Sequence, residues 1–362
     1  MQIISYTKSE LQELIESDFF KKLNKIPISK HRALSQINNP YCADDDILLW
    51  VTYENETLMG YSSVLPDMIV CNGHEEKIYW ASSIWRTESE RKSTLALTLL
   101  LKMFEQYKNQ LFITDFNSKV EKTYSKLRFL KPVETEIGAT FYRNLAFSQV
   151  IEKRFLKLKC IIPFYLFLEK CFNFTLFLGR KLTTKKIKTN FSIVDNNIFD
   201  AEFDNFVKNY CLTNQLVERN SIYFNWIIKY PWVLQRKPDS ESRRYYFSSV
   251  SEQFEYHSLK IYDRQKLVGF MFLKIRDKRL TISFSYLNNV CAKDAVACIL
   301  QIANAKDLDV ITSFDKKILS ELTKKRTKYI FSKKTKKKYF FPRNFNITSS
   351  FFQEGDGDMV FT

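Results

Sequence analysis

Residues Lys77–Tyr107 read KIYWASSIWRTESERKSTLALTLLLKMFEQY. KIYWASSIW is a strand, RTESERKST a polar turn, and LALTLLLKMFEQY an apolar helical run. A strand that feeds a tight turn and then a helix brings the first helical N–H groups to the strand's carboxyl end. Those amides have no intrahelical partner, and the helix dipole adds to their pull, so the junction suits an anion. Arg91 and Lys92 add positive charge there, and the Ser93 and Thr94 hydroxyls can cap the helix or donate to phosphate oxygens. The plain alternative is a capped amphipathic helix with exposed basic residues.

Working outward, the same plan occurs twice. WVTYENETLMGYSSV (Trp50–Val64) lies beside LKIYDRQKLVGFMFL (Leu259–Leu273) at an offset of 209, which pairs Tyr53 with Tyr262, Leu58 with Leu267 and Gly60 with Gly269. Each is a strand, a polar turn and a second strand, a hairpin signal. LFITDFNSKV (Leu111–Val120) matches DVITSFDKKI (Asp309–Ile318) at an offset of 198, so the second copy has lost 11 residues in between. Copy one is expected to hold helices at Ser9–Asn24, Thr94–Lys108 and Ser118–Leu127. Its strands are expected near Ile47–Tyr53, Thr57–Leu65, Lys77–Trp85, Leu111–Thr114 and Ala139–Asn144. Copy two is expected to hold a helix near Asn197–Cys211, a hairpin over Tyr256–Leu287, and helices near Ala292–Asn304 and Lys316–Thr323. Antiparallel and parallel strands with helices on both faces argue an α/β (α+β) layered domain, used twice. The boundaries expected are 1–149, a helical linker 150–189, and 190–362.

The linker contains CIIPFYLFLEKCFNFTLFLG, Cys160–Gly179, about the length that spans a bilayer. Glu169 and Lys170 inside it make crossing expensive, and its flanks are basic, with Lys153, Arg154, Lys157 and Lys159 before it and Arg180, Lys181, Lys185, Lys186 and Lys188 after. It reads either as a helix buried between the copies or as one lying in the interface of an anionic membrane.

The 362 residues carry 56 Lys+Arg against 40 Asp+Glu, a formal charge of +16 that favours anionic partners. An A+T-rich bacterial genome would add Lys, Asn, Ile and Phe without functional cause, so charge alone assigns no partner. Seven cysteines without C-x-x-C spacing and three histidines (His31, His74, His257) without ligand spacing give no zinc or disulfide framework, and no metal is expected. MQIISYTKSELQELI lacks a basic region followed by an apolar run, so the chain is expected in the reducing cytoplasm.

Asn117–Phe129, NSKVEKTYSKLRF, has the spacing N-x-x-V-x-x-x-Y-x-K-L-x-F. With the turn before it, the sequence resembles the GNAT superfamily of acyl-CoA-dependent acyltransferases. That family's pyrophosphate loop follows R-x-x-G-x-G/A, and its next strand–helix unit often reads N-x-x-A-x-x-x-Y-x-x-x-G-F. Arg91-Lys92-Ser93-Thr94-Leu95-Ala96 takes the place of the first; Asn117, Val120, Tyr124, Arg128 and Phe129 take the place of the second. Gly60 also fits. Thr94 and Arg128 stand where the family usually has glycine, and Ala96 is an accepted variant.

The resemblance implies two GNAT-like mixed-sheet domains in tandem, the second degenerate. It also implies acetyl-CoA or a related acyl-CoA as co-substrate, without a metal. The backbone near Ile84 and Trp85 would hold the pantetheine and polarise the thioester carbonyl. The loop from Arg91 to Ala96 would hold the pyrophosphate, and Asn117 would also contact the cofactor. Tyr124 would reprotonate the thiolate; its alternative is a half-buried helix aromatic. At an offset of 198, Tyr124 maps to Leu322 and Asn117 to Asp315, so one competent site is expected. Tandem domains ending in a tail like Gln353-Glu354-Gly355-Asp356-Gly357-Asp358 look like bacterial proteins of surface-polysaccharide biosynthesis, whose acceptors carry amino or hydroxyl groups. His31 and Arg32, in KHRALSQINNP (Lys30–Pro40), are the acceptor candidates.

Two other classes remain. Lys324–Arg343, KKRTKYIFSKKTKKKYFFPR, interleaves bases with aromatics as a nucleic-acid binder can, or forms a solvated basic edge. No helix-turn-helix accompanies it, and nucleic acid is not the favoured partner. The lost glycines would also suit an inactive interaction module.

Overall fold

The structure, a computed structural model, describes residues 2–71, 74–92, 94–114, 116, 118–134, 137–145, 162–183, 191–210, 217, 219–345 and 352–362. These residues form two compact units, each assembled from separate stretches of chain. Unit 1 takes Met1–Glu136, Asn197–Phe254 and Lys336–Thr362; unit 2 takes Ile137–Asn196 and Glu255–Thr335. The serial boundaries at 149/150 and 189/190 do not divide the chain this way: the chain from Ile137 falls with unit 2, and Asn197–Phe254 and Lys336–Thr362 fall with unit 1.

The chain opens with β1 (Ile3–Thr7), α1 (Lys8–Glu16), α2 (Asp18–Lys22) and α3 (Lys30–Ile37). One helix was expected over Ser9–Asn24, but Ser17 is extended there, ending the first helix while its hydroxyl accepts from the Phe20 amide to start the second. Next come β2 (Ile47–Glu54), β3 (Thr57–Cys71), β4 (His74–Arg86), α4 (Leu95–Tyr107), β5 (Leu111–Ile113), α5 (Ser118–Tyr124) and β6 (Leu130–Glu134). Then follow β7 (Gly138–Tyr142), α6 (Ile162–Thr183), β8 (Ser192–Asp195), α7 (Ala201–Tyr210), α8 (Ser221–Lys229) and a small parallel pair, β9 (Leu234–Gln235) with β10 (Val250–Ser251). The rest is β11 (Phe254–Asp263), β12 (Lys266–Arg276), β13 (Arg279–Tyr286), α9 (Ala292–Ala305), β14 (Val310–Ser313), α10 (Lys316–Lys324), β15 (Phe331–Thr335) and β16 (Lys338–Pro342).

Two mixed seven-stranded sheets result. The first has the order β1-β2-β3-β4-β5-β16-β6; the second, read from its β8 end, has the order β8-β11-β12-β13-β14-β7-β15. The plans are the same apart from an exchange. The strand Ala139–Asn144, expected in copy one, is β7 and pairs with β14 and β15, while β16 inserts between β5 and β6.

In unit 1, α4 covers one sheet face through Leu95, Leu99, Leu100 and Met103, packed on Tyr79, Ala81, Leu111, Ile113 and Phe340. The helices α1–α3 cover the other face, over Leu48, Val51, Leu58 and Tyr61. Strand alternation sends neighbouring residues to these opposite cores. Tyr339, Phe340 and Phe341 are fully buried, so these aromatics of the basic stretch serve the core, whereas Phe331–Lys334 in β15 is exposed.

In unit 2, α9 and α10 bury Val296, Ile299, Ile318 and Leu322 against Met271, Leu273, Ile282 and Ile311. Helix α6 is inverted relative to an ordinary surface helix. Phe164, Tyr165, Phe167, Leu168, Phe172 and Phe174 are exposed. Asn173 and Arg180 instead turn inward: Asn173 accepts from Leu145 N at 2.8 Å and donates to Leu145 O at 2.9 Å. Arg180 donates to Arg143 O at 2.5 Å and to Asn144 Oδ1 at 2.6 Å. Among the described residues, no helix is long and apolar enough to cross a membrane.

Candidate active site

The site is organised by β4. It pairs with β3 over most of its length but with β5, in parallel, only over Tyr79–Ala81. Past Ala81 the β5 ladder stops while β4 continues to Arg86. Ser83 there has φ +54°, and the β3–β4 register shifts between Tyr61 and Ser63, a bulge that re-aims the strand where its neighbour ends. Ile84 then joins the core on the α4 side, and the Trp85 ring stacks on Tyr61 at 5.4 Å on the other. Beside Trp85 a cavity of about 30 Å³ is walled in part by Tyr61, Tyr246, Lys25 and Arg244.

From β4 the chain turns back, with Thr87 N donating to Met59 O at 2.9 Å, passes through a short 3-10 turn at Ser89–Lys92, and enters α4. Thr94 is the N-cap, and its side chain makes no capping bond. Leu95 fits under Gly60: a Cβ at Gly60 would lie 2.9 Å from Leu95 Cδ2 and 3.1 Å from Trp85 O. Only glycine lets the hairpin, the end of β4 and the first turn of α4 approach this closely. The structure thus brings Ile84, Trp85, Thr94, Leu95 and Ala96 together at one end of the sheet. Arg91 and Lys92 lie on the turn that joins them, and Ser93 and Asn117 lie outside the described residues.

Tyr124 closes α5 and sits in the same core as Leu95 and Ile113. Its ring meets Phe340 and Phe116 edge-on, with centroids at 5.6 and 5.9 Å. Burial pushes its phenol up to about 12, so it keeps its proton throughout the neutral range.

The opposite side of β4 carries a polar group that sequence reasoning saw only in part. Arg32, from α3, is buried; it donates to Ser82 Oγ at 2.7 Å and to the Tyr245 hydroxyl at 2.9 Å, and its guanidinium lies 3.7 Å from the centre of the Trp232 ring. Ser82 in turn donates to Asp358. His31 turns elsewhere: its Nε2 is 2.7 Å from the Trp232 carbonyl, and burial lowers its pKa. Arg32 is therefore brought to β4, and His31 to the residue that stacks on Arg32.

The segment 352–362 reaches this place through a second buried network. Arg219, fully buried, donates to both Asp67 oxygens at 2.6 and 2.9 Å and lies 3.4 Å from Asp356. Trp80 Nε1 also donates to Asp67, at 2.8 Å. Gly357 has φ +73°, and a Cβ there would lie 2.9 Å from Thr114 Cγ2 and 3.2 Å from the Trp80 ring, so this position too requires glycine. Among the described residues, no group of three or more His, Cys, Asp or Glu is placed to hold a metal ion.

No protein-family model matches the chain, and no curated protein matches it. Solved structures do. A conserved protein of unknown function from Enterococcus faecalis V583, described as a probable N-acyltransferase, superposes with a TM-score of 0.51 at 11% identity, covering 94% of this chain and 72% of that one. A GCN5-related N-acetyltransferase from Anabaena variabilis ATCC 29413 gives a TM-score of 0.48 at 9% identity, covering 94% and 71%. At 11% identity the likeness is one of fold: this chain, over nearly its whole length, is built like that probable N-acyltransferase.

Proposed function

We propose that the chain is an acyltransferase that uses acetyl-CoA or a related acyl-CoA and acts on an amino or hydroxyl group, of a sugar in surface-polysaccharide synthesis. One observation carries the reading: β4 outruns its parallel partner and delivers the chain directly to the N-terminus of α4. The fold likeness to a probable N-acyltransferase supports it.

The donor sites suit the co-substrate. At the end of β4, the backbone of Ile84 and Trp85 would hold the pantetheine arm and polarise the thioester carbonyl. The first turn of α4, at Leu95, Ala96 and Leu97, would face the pyrophosphate with the positive end of the helix dipole, with Arg91, Lys92, Ser93, Thr94 and Asn117 around it. The co-substrate supplies the activated acyl group. Tyr124, neutral at pH 7, would give a proton to the departing thiolate. Arg32 would face the acceptor, with His31 bracing Trp232 behind it. Titration calorimetry of the full-length protein with acetyl-CoA should show binding, weakened by Arg91→Glu; no heat at millimolar acetyl-CoA would sink the reading.

The protein's place is the cytoplasmic face of an anionic membrane, with α6 as the contact. A helix that turns Asn173 and Arg180 inward while presenting Phe164, Phe167, Phe172 and Phe174 suits lipid better than water. Basic residues precede and follow it in the sequence, and each near an anionic leaflet contributes about 1 kcal/mol. The protein should float with anionic vesicles at low salt, less so at high salt, and Phe167→Glu with Phe174→Glu should leave it at the bottom of the gradient. Equal flotation of this double variant would remove α6 from the contact.

A further inference from the structure

The segment 352–362 does more than pack on the sheet. We infer that it completes the acceptor side of the site, and that Asp358 is the carboxylate that takes the acceptor's proton. The inference rests on the acyltransferase reading above.

One face of β4 is already spoken for. Helix α4 lies with Leu95 and Tyr124 on one side of the strand. An acyl group held by the backbone just past Ala81 is reached by donor groups from that side, and a nucleophile must come from the other. On the other side stand Arg32, Ser82, Tyr245 and Asp358. Asp358 is held there by the residue before it, because Gly357 packs on Trp80, inside the Tyr79–Ala81 ladder, and on Thr114, one residue beyond its Leu111–Ile113 partner.

The acids of the segment are divided between roles. Glu354 lies 2.8 Å from Lys337, and Asp356 is buried beside Arg219; both anchor the segment. Asp358 is half-buried and accepts from Ser82, next to the strand positions that would carry the thioester. Arg32 donates to that same Ser82 oxygen, so the serine hydrogen is left to point at Asp358 and fixes the carboxylate's orientation. Arg32 and Ser82 are positioning residues; Asp358 touches the acceptor.

The step balances. The acceptor's N–H or O–H proton passes to Asp358 as the bond from nitrogen or oxygen to the acyl carbon forms. The carbon–sulfur bond breaks, and the thiolate takes a proton from Tyr124. Asp358 then returns its proton to water, and Tyr124 regains one from it.

The test uses the full-length protein, acetyl-CoA, and glucosamine as the probe amine, with thiol release as the readout and acetyl-CoA binding measured separately by calorimetry. Asp358→Asn should lower kcat on the order of 100- to 10,000-fold with acetyl-CoA affinity within about twofold. Asp358→Ala should recover part of the loss when acetate is added, which a merely structural residue would not allow. Ser82→Ala should lower kcat less than Asp358→Asn does. An Asp358→Asn protein that turns over like wild type, or that loses acetyl-CoA binding along with turnover, overturns the assignment. Wild type that binds acetyl-CoA but releases no thiol also overturns it, while wild type that binds none overturns the acyltransferase reading beneath it.

Discussion

Gly60 and Gly269 occupy the same place in the two sheets, and what surrounds them differs. Both glycines sit on the second hairpin strand, against the start of the helix that follows the next strand. A Cβ at Gly60 would strike Leu95; one at Gly269 would lie 3.0 Å from Cys291 Sγ, the N-cap of α9. The parallel ladders also match: β4 meets β5 over three residues, and β13 meets β14 over three. Beyond the ladders the units part ways. In unit 2 Ser285 donates to Asp315 at 2.7 Å, and Lys317 donates to the Leu287 carbonyl, so side chains from the start of α10 bridge to the end of β13. In unit 1 Ser82 faces Ser63 in the ladder; the residue 209 on from Ser63, Phe272, faces Phe284. The hydroxyl that joins Arg32 to Asp358 is a buried ring in the other unit. The turn Thr87–Thr94 shrinks to Leu287–Cys291. The scaffold is shared and the side chains at this sheet end are not.

The largest expected effect lies at Tyr124 and its counterpart. Leu322 is fully buried in the core of unit 2, as Tyr124 is buried in unit 1, so burial at this position belongs to the scaffold and the hydroxyl to unit 1. Tyr124→Phe keeps the ring between Phe116 and Phe340 and removes one oxygen. Turnover should fall on the order of 100- to 10,000-fold, with little change in stability. Leu322→Phe should do the reverse, costing about 1–3 kcal/mol of stability through overpacking and leaving kcat unchanged. If Tyr124→Phe turns over normally while chemistry limits the rate, Tyr124 is a core aromatic and the two positions are equivalent after all.

Much of this contrast is legible in the sequence, and the rest is hidden for physical reasons. The strand–turn–helix at Lys77–Tyr107 is local: an apolar strand, a polar turn and an apolar helical run of thirteen residues appear in order and fold in order. The Gly60/Gly269 pairing is legible because both places are crowded, Gly60 by Leu95 and the Trp85 carbonyl and Gly269 by the Cys291 side chain. The exchange of β7 and β16 is not. GATFY and KYFFP each read as strands, but no pattern within five residues says which sheet supplies the partner. β1 escaped for another reason: an edge strand of half-exposed residues has no clean alternation. Arg32 could be nominated from its helix, but Ser82 and Asp358 are 276 residues apart, and only the fold brings them together. Arg219 meets Asp67 across 152 residues in the same way.

The smallest effect expected is a difference between the units in how pH loosens them. Asp356 is fully desolvated, which outweighs Arg219 and pushes its carboxyl up to about 6. A carboxyl raised from 3.8 in the unfolded chain to about 6 in the folded one stabilises the fold fully below the lower value and loses that contribution as pH rises through the upper. In unit 2 His257 is raised above 6.5 by its hydrogen bond to Asp195, 2.5 Å away, so its contribution is complete below 6.5 and is lost only at higher pH. Unit 1 should therefore begin to loosen as pH rises above 3.8, and unit 2 only as it rises above 6.5. Asp356→Asn carries no charge at any pH and mimics the protonated acid. Its stability relative to wild type, from urea midpoints, should climb by about 1–3 kcal/mol between pH 4 and 7 and then level off. His257→Gln should lose its disadvantage only above pH 6.5. A flat Asp356→Asn difference from pH 4 to 7 would mean that Asp356 is ionised throughout the folded range. Arg219 would then outweigh the desolvation, and the segment that carries Asp358 would hold as firmly at neutral pH as in acid.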